Sequence, residues 1–333
     1  MSQDIEIREL NKNEYKVWDT IVDNSPQGTI FSKTIFSEAL NQVTGKGYTI
    51  YGIFKNTNLI GGCPVYSKKR FGFKMAILPS LVPYSGIVLK TPSSKYSSQN
   101  ESLRLKIENL ICQKLSTEYD YVYLAHHPTL QDIRGFVWNG WRIHIRYTHV
   151  IDLKDYSLEK IDPFTRRRIK KATEYGVKIS ESNDIERVVN LVEKSYLRHS
   201  ATPPFPKHYL VGLFERGIYH LFIAQNPNGD ILSGMIVVKD PPVAYGGILG
   251  SEPEALKTGV NSLLLWSVLS SLTTEFEQFD FMGANVQSIA KFKSNFGGNL
   301  IPYYVCEKYK LHFITLLRGY RFIKNLRNVI RHP

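Results

Sequence analysis

Apolar positions along the chain recur at two spacings, one helical and one extended. Tyr15, Trp18, Ile21 and Val22 follow the three-and-four spacing of a helix. The loop Asn24-Ser25-Pro26-Gln27-Gly28 ends it, and a second short helix carries Phe36 and Leu40. Strand formers then dominate. YTIYGIFK, a turn at residues 56–58 and LIGGCPVYSKK read as a hairpin, which KMAILPS and SGIVLK extend. Over residues 101–117, Leu103, Ile107, Leu110, Ile111 and Leu115 mark one helical face. YDYVYLAHH and RIHIRYTHVIDL return to strand.

The second half follows the same plan. Ile185, Val188, Val189 and Val192 predict an amphipathic helix over residues 184–196, with Asn183 as N-cap and Glu186 closing a capping box. HLFIAQ, a turn at residues 226–229 and ILSGMIVVK form a hairpin; VAYGGILGS is a further strand. A strongly apolar helix over residues 261–276 leads into the strand QFDFMGA. Laid side by side, YGIFKNTNLIGGCPVY then PYSGIVLK, a helix and YDYVYLA match LFIAQNPNGDILSGMIVV then AYGGILGS, a helix and FDFMGAN. Hairpin, strand, helix and strand recur in one order, which predicts an α/β chain of mixed sheets built by duplication. The alternative is that so common an order recurs by chance. The halves are read as residues 1–156 and 179–310. A basic connecting helix over 157–178 starts at Pro163 and ends at Gly176, and a basic C-terminal helix follows over 311–333.

Composition narrows the function classes. With 43% hydrophobic and 22% charged residues, and 20 Tyr and 17 Phe for a core, disordered and low-complexity architectures are excluded. Forty-two Lys and Arg against 30 Asp and Glu leave a net charge of +12, which favours anionic partners without choosing among phosphorylated substrates, nucleic acid and acidic lipid. Cys63, Cys112 and Cys306 form no CxxC pair. Residues 1–10 do not read as a signal peptide, and the most apolar run, 263–272, is broken by serines. A cytoplasmic protein, peripheral at the inner face of a membrane if its basic tail docks there, is the expectation.

The segments RRRIKKATEYGV, FDFMGAN, AKFKSNFGGNLIPYY and NSPQGTIFSK resemble the FemAB-like peptidyltransferases and related N-acyltransferases. That resemblance implies two tandem modules of the GNAT (Gcn5-related N-acetyltransferase) fold. It also implies transfer of an acyl or aminoacyl group to an amine of a cell-envelope precursor. The donor would be acyl-CoA or aminoacyl-tRNA, and the acceptor an anionic small molecule or lipid-linked precursor. Some Fem enzymes carry a coiled-coil arm; no 40–60-residue heptad insertion is found here, so the chain resembles the armless kind. The rivals are an acetyl-CoA-dependent enzyme acting on another small amine and a non-catalytic module binding nucleic acid or anionic lipid.

Attack by an amine on a held carbonyl needs no Ser or Cys nucleophile, so the lack of GxSxG does not argue against transfer. The resemblance implies that Lys293, in Phe292-Lys293-Ser294-Asn295-Phe296-Gly297-Gly298, faces substrate phosphate or developing negative charge, with Lys291 as its competitor and a solvated loop lysine as the plain alternative. Phe292 would contact substrate or pack beneath the motif. Asp280, at a strand end, would orient the amine or accept its proton, or merely cap backbone amides. Arg198 and Tyr209 match the family's acceptor-gripping pair loosely; a cation at a helix C-terminus is the alternative for Arg198. Lys33 and Phe36 are candidates for the acceptor cleft, and Lys257 and Gly259 for donor phosphate. The cluster from Arg166 to Lys171 is read either as tRNA-binding or as a solvated basic helix whose charges scatter around its axis. His126 and His127 point to opposite faces of a strand and do not read as metal ligands.

Overall fold

The computed structural model describes residues 4–92, 94–311 and 313. The first half runs β1 (Ile5–Glu9), α1 (Tyr15–Asp23), α2 (Thr34–Thr44), β2 (Gly47–Lys55), β3 (Asn58–Arg70), β4 (Phe73–Ala76), β5 (Val88–Leu89), α3 (Ser97–Glu118), β6 (Tyr121–Ala125), α4 (Arg134–Trp138) and β7 (Arg142–Asp152). Next come α5 (Pro163–Glu174), β8 (Lys178–Ser182), α6 (Ile185–Leu197), α7 (Lys207–Glu215), β9 (His220–Gln225), β10 (Ile231–Asp240) and β11 (Val243–Ser251). Then follow α8 (Pro253–Thr258), α9 (Val260–Leu272), β12 (Gln278–Asp280), α10 (Gln287–Ser294) and β13 (Asn299–Tyr309). Apart from Leu311 and Phe313, the expected C-terminal helix lies outside the described residues.

Duplication is written in the strand order, β1-β2-β3-β4-β6-β13-β7-β12-β11-β10-β9-β8, with β5 also on β3. Outward from the β13/β7 pair the two sides match. β4 runs parallel to β6, and β11 runs parallel to β12. Each parallel pair needs a helical crossover, supplied by α3 and by α9. Beyond them both sides continue as antiparallel meanders.

Two separable sheets, one per half, are not what the molecule has. The sheet is continuous because β13, the last strand among the described residues, inserts between β6 and β7 of the first half. β7 in turn pairs with β12 of the second half. One core cluster also spans the halves. It joins Phe31, Phe36, Leu40 and Tyr84 to Val188, Tyr209, Leu210 and Tyr245. Gly212 of α7 approaches Val43 so closely that a Cβ would lie 2.6 Å from its side chain. Separate apolar layers cover the opposite sheet face, with α3 and α4 on the first half and α5 and α9 on the second.

Several local expectations shift. The N-cap of α6 is Asp184, which accepts from the Arg187 amide; Asn183 is not the cap and the expected capping box does not form. The apolar helix stops at Leu272 rather than 276. The strand QFDFMGA is only Gln278–Asp280, because the chain then turns through positive φ at Met282 and Gly283. The first-half counterpart of β11 comes in two pieces on β3, namely β4 and β5, with residues 77–87 looping out between them. On α5, burial of Thr165, Ile169 and Ala172 leaves Arg166, Arg167, Lys170 and Lys171 together on the outer face rather than scattered.

Candidate functional site

A cleft of about 630 Å3 opens where the two halves meet. Its walls come from the α1–α2 loop (Asp23, Thr29 and Lys33 among others), the segment after β6 (His127, Thr129), the β10–β11 turn (Asp240 to Val243) and the central strands (Val150, Asp280, Ile301). The loop is held by Asp240, which accepts from the Ile30 amide at 2.6 Å and from Lys33 Nζ at 3.0 Å. Lys33 also pairs with Asp23 at 2.7 Å. Burial works against the Lys33 ammonium, but the bonds to Asp23 and Asp240 outweigh it and keep the group charged above its ordinary range.

Asp280 lies at the junction of both halves and is only 3% exposed. Its Oδ1 accepts from Thr148 Oγ1 at 2.5 Å and from the Met282 amide at 2.7 Å. Its Oδ2 accepts from the Tyr84 hydroxyl at 2.7 Å. Burial raises the Asp280 pKa above the usual carboxylate range, while these bonds and nearby Lys293 pull it back. Tyr84 comes from the 77–87 excursion, Thr148 from β7 and Asp280 from β12, so neither half holds this carboxylate alone. Tyr245 stands opposite Asp280 across the parallel strands. The tyrosines of the two aligned repeat segments, Tyr84 and Tyr245, therefore converge on one acid.

Lys293 is neither in a loop nor solvated. It sits in the last turn of α10 and reaches back to the carbonyl oxygens of Phe281 at 2.8 Å and Gly283 at 2.6 Å. These bonds, with the Met282 amide on Asp280 and the Gly283 amide on Thr148 at 3.0 Å, fix the turn after β12. Burial lowers the Lys293 pKa to about 8, with Asp280 opposing the shift. Lys291, its rival in the motif, is exposed. His149, on the other side of β7, is buried with Nδ1 unpartnered; burial first, then a neighbouring Lys293 charge, lower its pKa.

Other candidates are not brought to this site. Phe36 is fully buried, edge-on to Phe31 in the shared core, and so packs rather than contacts ligand. Phe292 packs on Phe296 beneath α10. Tyr209 is 2% exposed, and its hydroxyl donates to the Ser80 carbonyl. Arg198 donates to the Ser251 carbonyl at 2.5 Å and to Ser195 Oγ at 2.9 Å, tying α6 to the end of β11. Gly259 has φ +83°, and a Cβ there would lie 2.2 Å from the Arg168 carbonyl oxygen. Close approach of α5 accounts for that glycine, and Lys257 beside it is exposed.

His126 is buried and neutral, its pKa lowered by burial to about 3. His127 lines the cleft and is likewise held neutral, at about 4. Among the described residues no group of three or more His, Cys, Asp and Glu side chains gathers as a metal site, and no helix is long and apolar enough to cross a membrane. Reading the sequence missed Tyr84, Thr148, Asp23 and Asp240. For Tyr84 a signal existed, its alignment with Tyr245 in the repeat. For Asp23 and Asp240, far apart in sequence, there was none.

Comparison with known proteins agrees with this architecture. Residues 164–294 match the family described as Acetyltransferase (GNAT) domain. No curated protein sequence matches the chain. The structure of FemX superimposes with a TM-score of 0.66 at 12% identity, covering 90% of this chain and 96% of that one. L-PGS from Bacillus licheniformis gives 0.58 at 11% identity over 93% and 96%. A tandem GNAT protein from the clavulanic acid biosynthesis pathway gives 0.52 at 12% identity over 92% and 98%. The chain therefore has a tandem GNAT fold, and residues 164–294 are similar to the GNAT acetyltransferase domain model.

Proposed function

We propose that the protein is an N-acyltransferase that joins an acyl or aminoacyl group to an amine of a cell-envelope precursor at the cleft between its halves. What carries the reading is Asp280, a buried carboxylate lining that cleft and held by groups from both halves. Oδ1 has both its acceptor positions filled, whereas Oδ2 holds one bond and keeps one position for the incoming amine. The amine nitrogen attacks the donor carbonyl carbon and a C–N bond forms. The bond from that carbon to the leaving oxygen or sulfur then breaks with its electron pair. Asp280 takes the proton the amine loses and passes it to the leaving group. Lys293 fixes the 281–283 turn, and its ammonium offsets negative charge gathering beside Asp280.

The GNAT match favours acyl-CoA as donor. The close approach of the Arg168 carbonyl to Gly259 leaves less room for a pyrophosphate beside that turn, which favours aminoacyl-tRNA. Calorimetry with CoA separates the two. The envelope acceptor is supported by the shared fold of FemX and L-PGS and by the motifs quoted above.

The test is product formation, followed by mass spectrometry, with each donor and amine-bearing envelope precursors. Asp280→Asn is expected to fold and to lose about 10²–10⁴ of the transfer rate. Wild-type turnover by that variant would remove Asp280 from the chemistry, and no turnover by the native protein with either donor would remove the function.

A further inference from the structure

We propose that the outer stripe of α5 docks on an anionic bilayer surface. The helix is amphipathic in an unusual sense. Thr165, Ile169 and Ala172 pack inward against the layer that includes α9. At three-and-four spacing on the outside stand Phe164, Arg167, Lys171 and Tyr175, with half-buried Arg168 beside them. Phe164 is 58% exposed and Tyr175 48%. Leu256 of α8, 46% exposed, lies beside them, since Arg168 donates to its carbonyl oxygen, and exposed Lys257 follows.

Water gives these apolar groups no reason to be outside, and the cations around them repel a second basic surface. The guanidinium carbons of Arg167 and Arg168 lie 5.7 and 6.0 Å from the Phe164 ring centroid, so the ring is flanked by positive charge. Among the nearby acids, Glu254 of α8 is exposed, and two others have partners. Asp162 caps the helix by accepting from the Phe164 and Thr165 amides, and Glu174 pairs with Lys170. Apolar side chains ringed by cations match an anionic interface, where rings and aliphatic chains enter the acyl boundary and cations meet headgroup phosphates. RNA would share the phosphates and could stack on Phe164, but aliphatic Leu256 offers a base no face. The net charge of +12 acts in the same direction. The inference does not depend on the acyl-transfer chemistry.

The test is co-sedimentation of the full chain with vesicles of mixed phosphatidylglycerol and phosphatidylcholine, against phosphatidylcholine alone, at low and raised salt. Binding is expected only to the anionic vesicles and should weaken with salt. The double variant R167E/K171E changes four charge units and, at about fivefold per unit, is expected to weaken it by roughly several hundred-fold. Phe164→Ser is expected to weaken it about tenfold. All three positions are exposed, and unchanged melting temperatures verify the fold. Failure to bind anionic vesicles would overturn the proposal, as would binding that both variants leave untouched. Retention on RNA that Phe164→Ser leaves unchanged, in a protein that ignores the vesicles, would assign the stripe to nucleic acid instead.

Discussion

Lys293 is a cation that folding makes harder to keep, and this has a measurable consequence. Its pKa falls from 10.5 to about 8 in the folded protein. Between those values the unfolded chain binds the proton more tightly than the folded one, so the unfolding free energy rises with pH across that window. At neutral pH the whole shift acts against folding by about 3 kcal/mol. Between about pH 7 and about pH 9.5, roughly 2 kcal/mol of it is recovered. Lys293→Met removes the titration. It also leaves the Phe281 and Gly283 carbonyls without their donor, a pH-independent cost of about 1–3 kcal/mol. The two proteins should therefore be close in stability near neutrality, and the native one should gain on the variant as pH rises. Urea unfolding of both, followed by tryptophan fluorescence at several pH values, reads the difference directly. The buried tyrosines, whose titration also affects alkaline stability, are common to both and cancel. A stability difference that stays flat across this range would refute the reasoning, because it would mean Lys293 is hydrated in the folded protein.

Tyr84→Phe removes a donor that lowers the Asp280 pKa, so the acid limb of the pH–rate profile should move to higher pH, with about 1 kcal/mol of stability lost. Unchanged profiles would separate Tyr84 from the acid. Gly259→Ala places a methyl group against the Arg168 carbonyl at a positive φ and should destabilise by about 2 kcal/mol or more in denaturant melts. Tyr209→Phe loses a bond to the Ser80 carbonyl; stability should drop by about 1 kcal/mol while KM for the acceptor stays constant, and a large rise in KM would return Tyr209 to the binding site.

Local pattern carried much of the architecture. The hairpins β2–β3 and β9–β10, the crossover helices α3 and α9 and the basic helix α5 all follow from spacing and turn residues, because each is a near-neighbour arrangement. Lys293 and Asp280 were visible through the motifs around them. Their environments were not. A lysine in FKSNFGG reads as a loop cation until the carbonyls of Phe281 and Gly283 are seen to hold it. Arg198 and Tyr209 were candidates through the resemblance, and Phe36 and Phe292 through the motifs beside them; in the fold each is occupied with packing or with backbone carbonyls.

The amino-acid order by itself determined which segments are helices and strands, and that one α/β plan is written twice. It did so because hydrophobic period and turn chemistry act over a few residues. Only the tertiary structure decided that β13 crosses into the first half, and that Tyr84, Thr148 and Asp280 meet at one cleft. Those contacts join residues 132 and 196 positions apart. Pairings at that distance are selected by how the sheet closes and which faces bury together, and no local period records that choice.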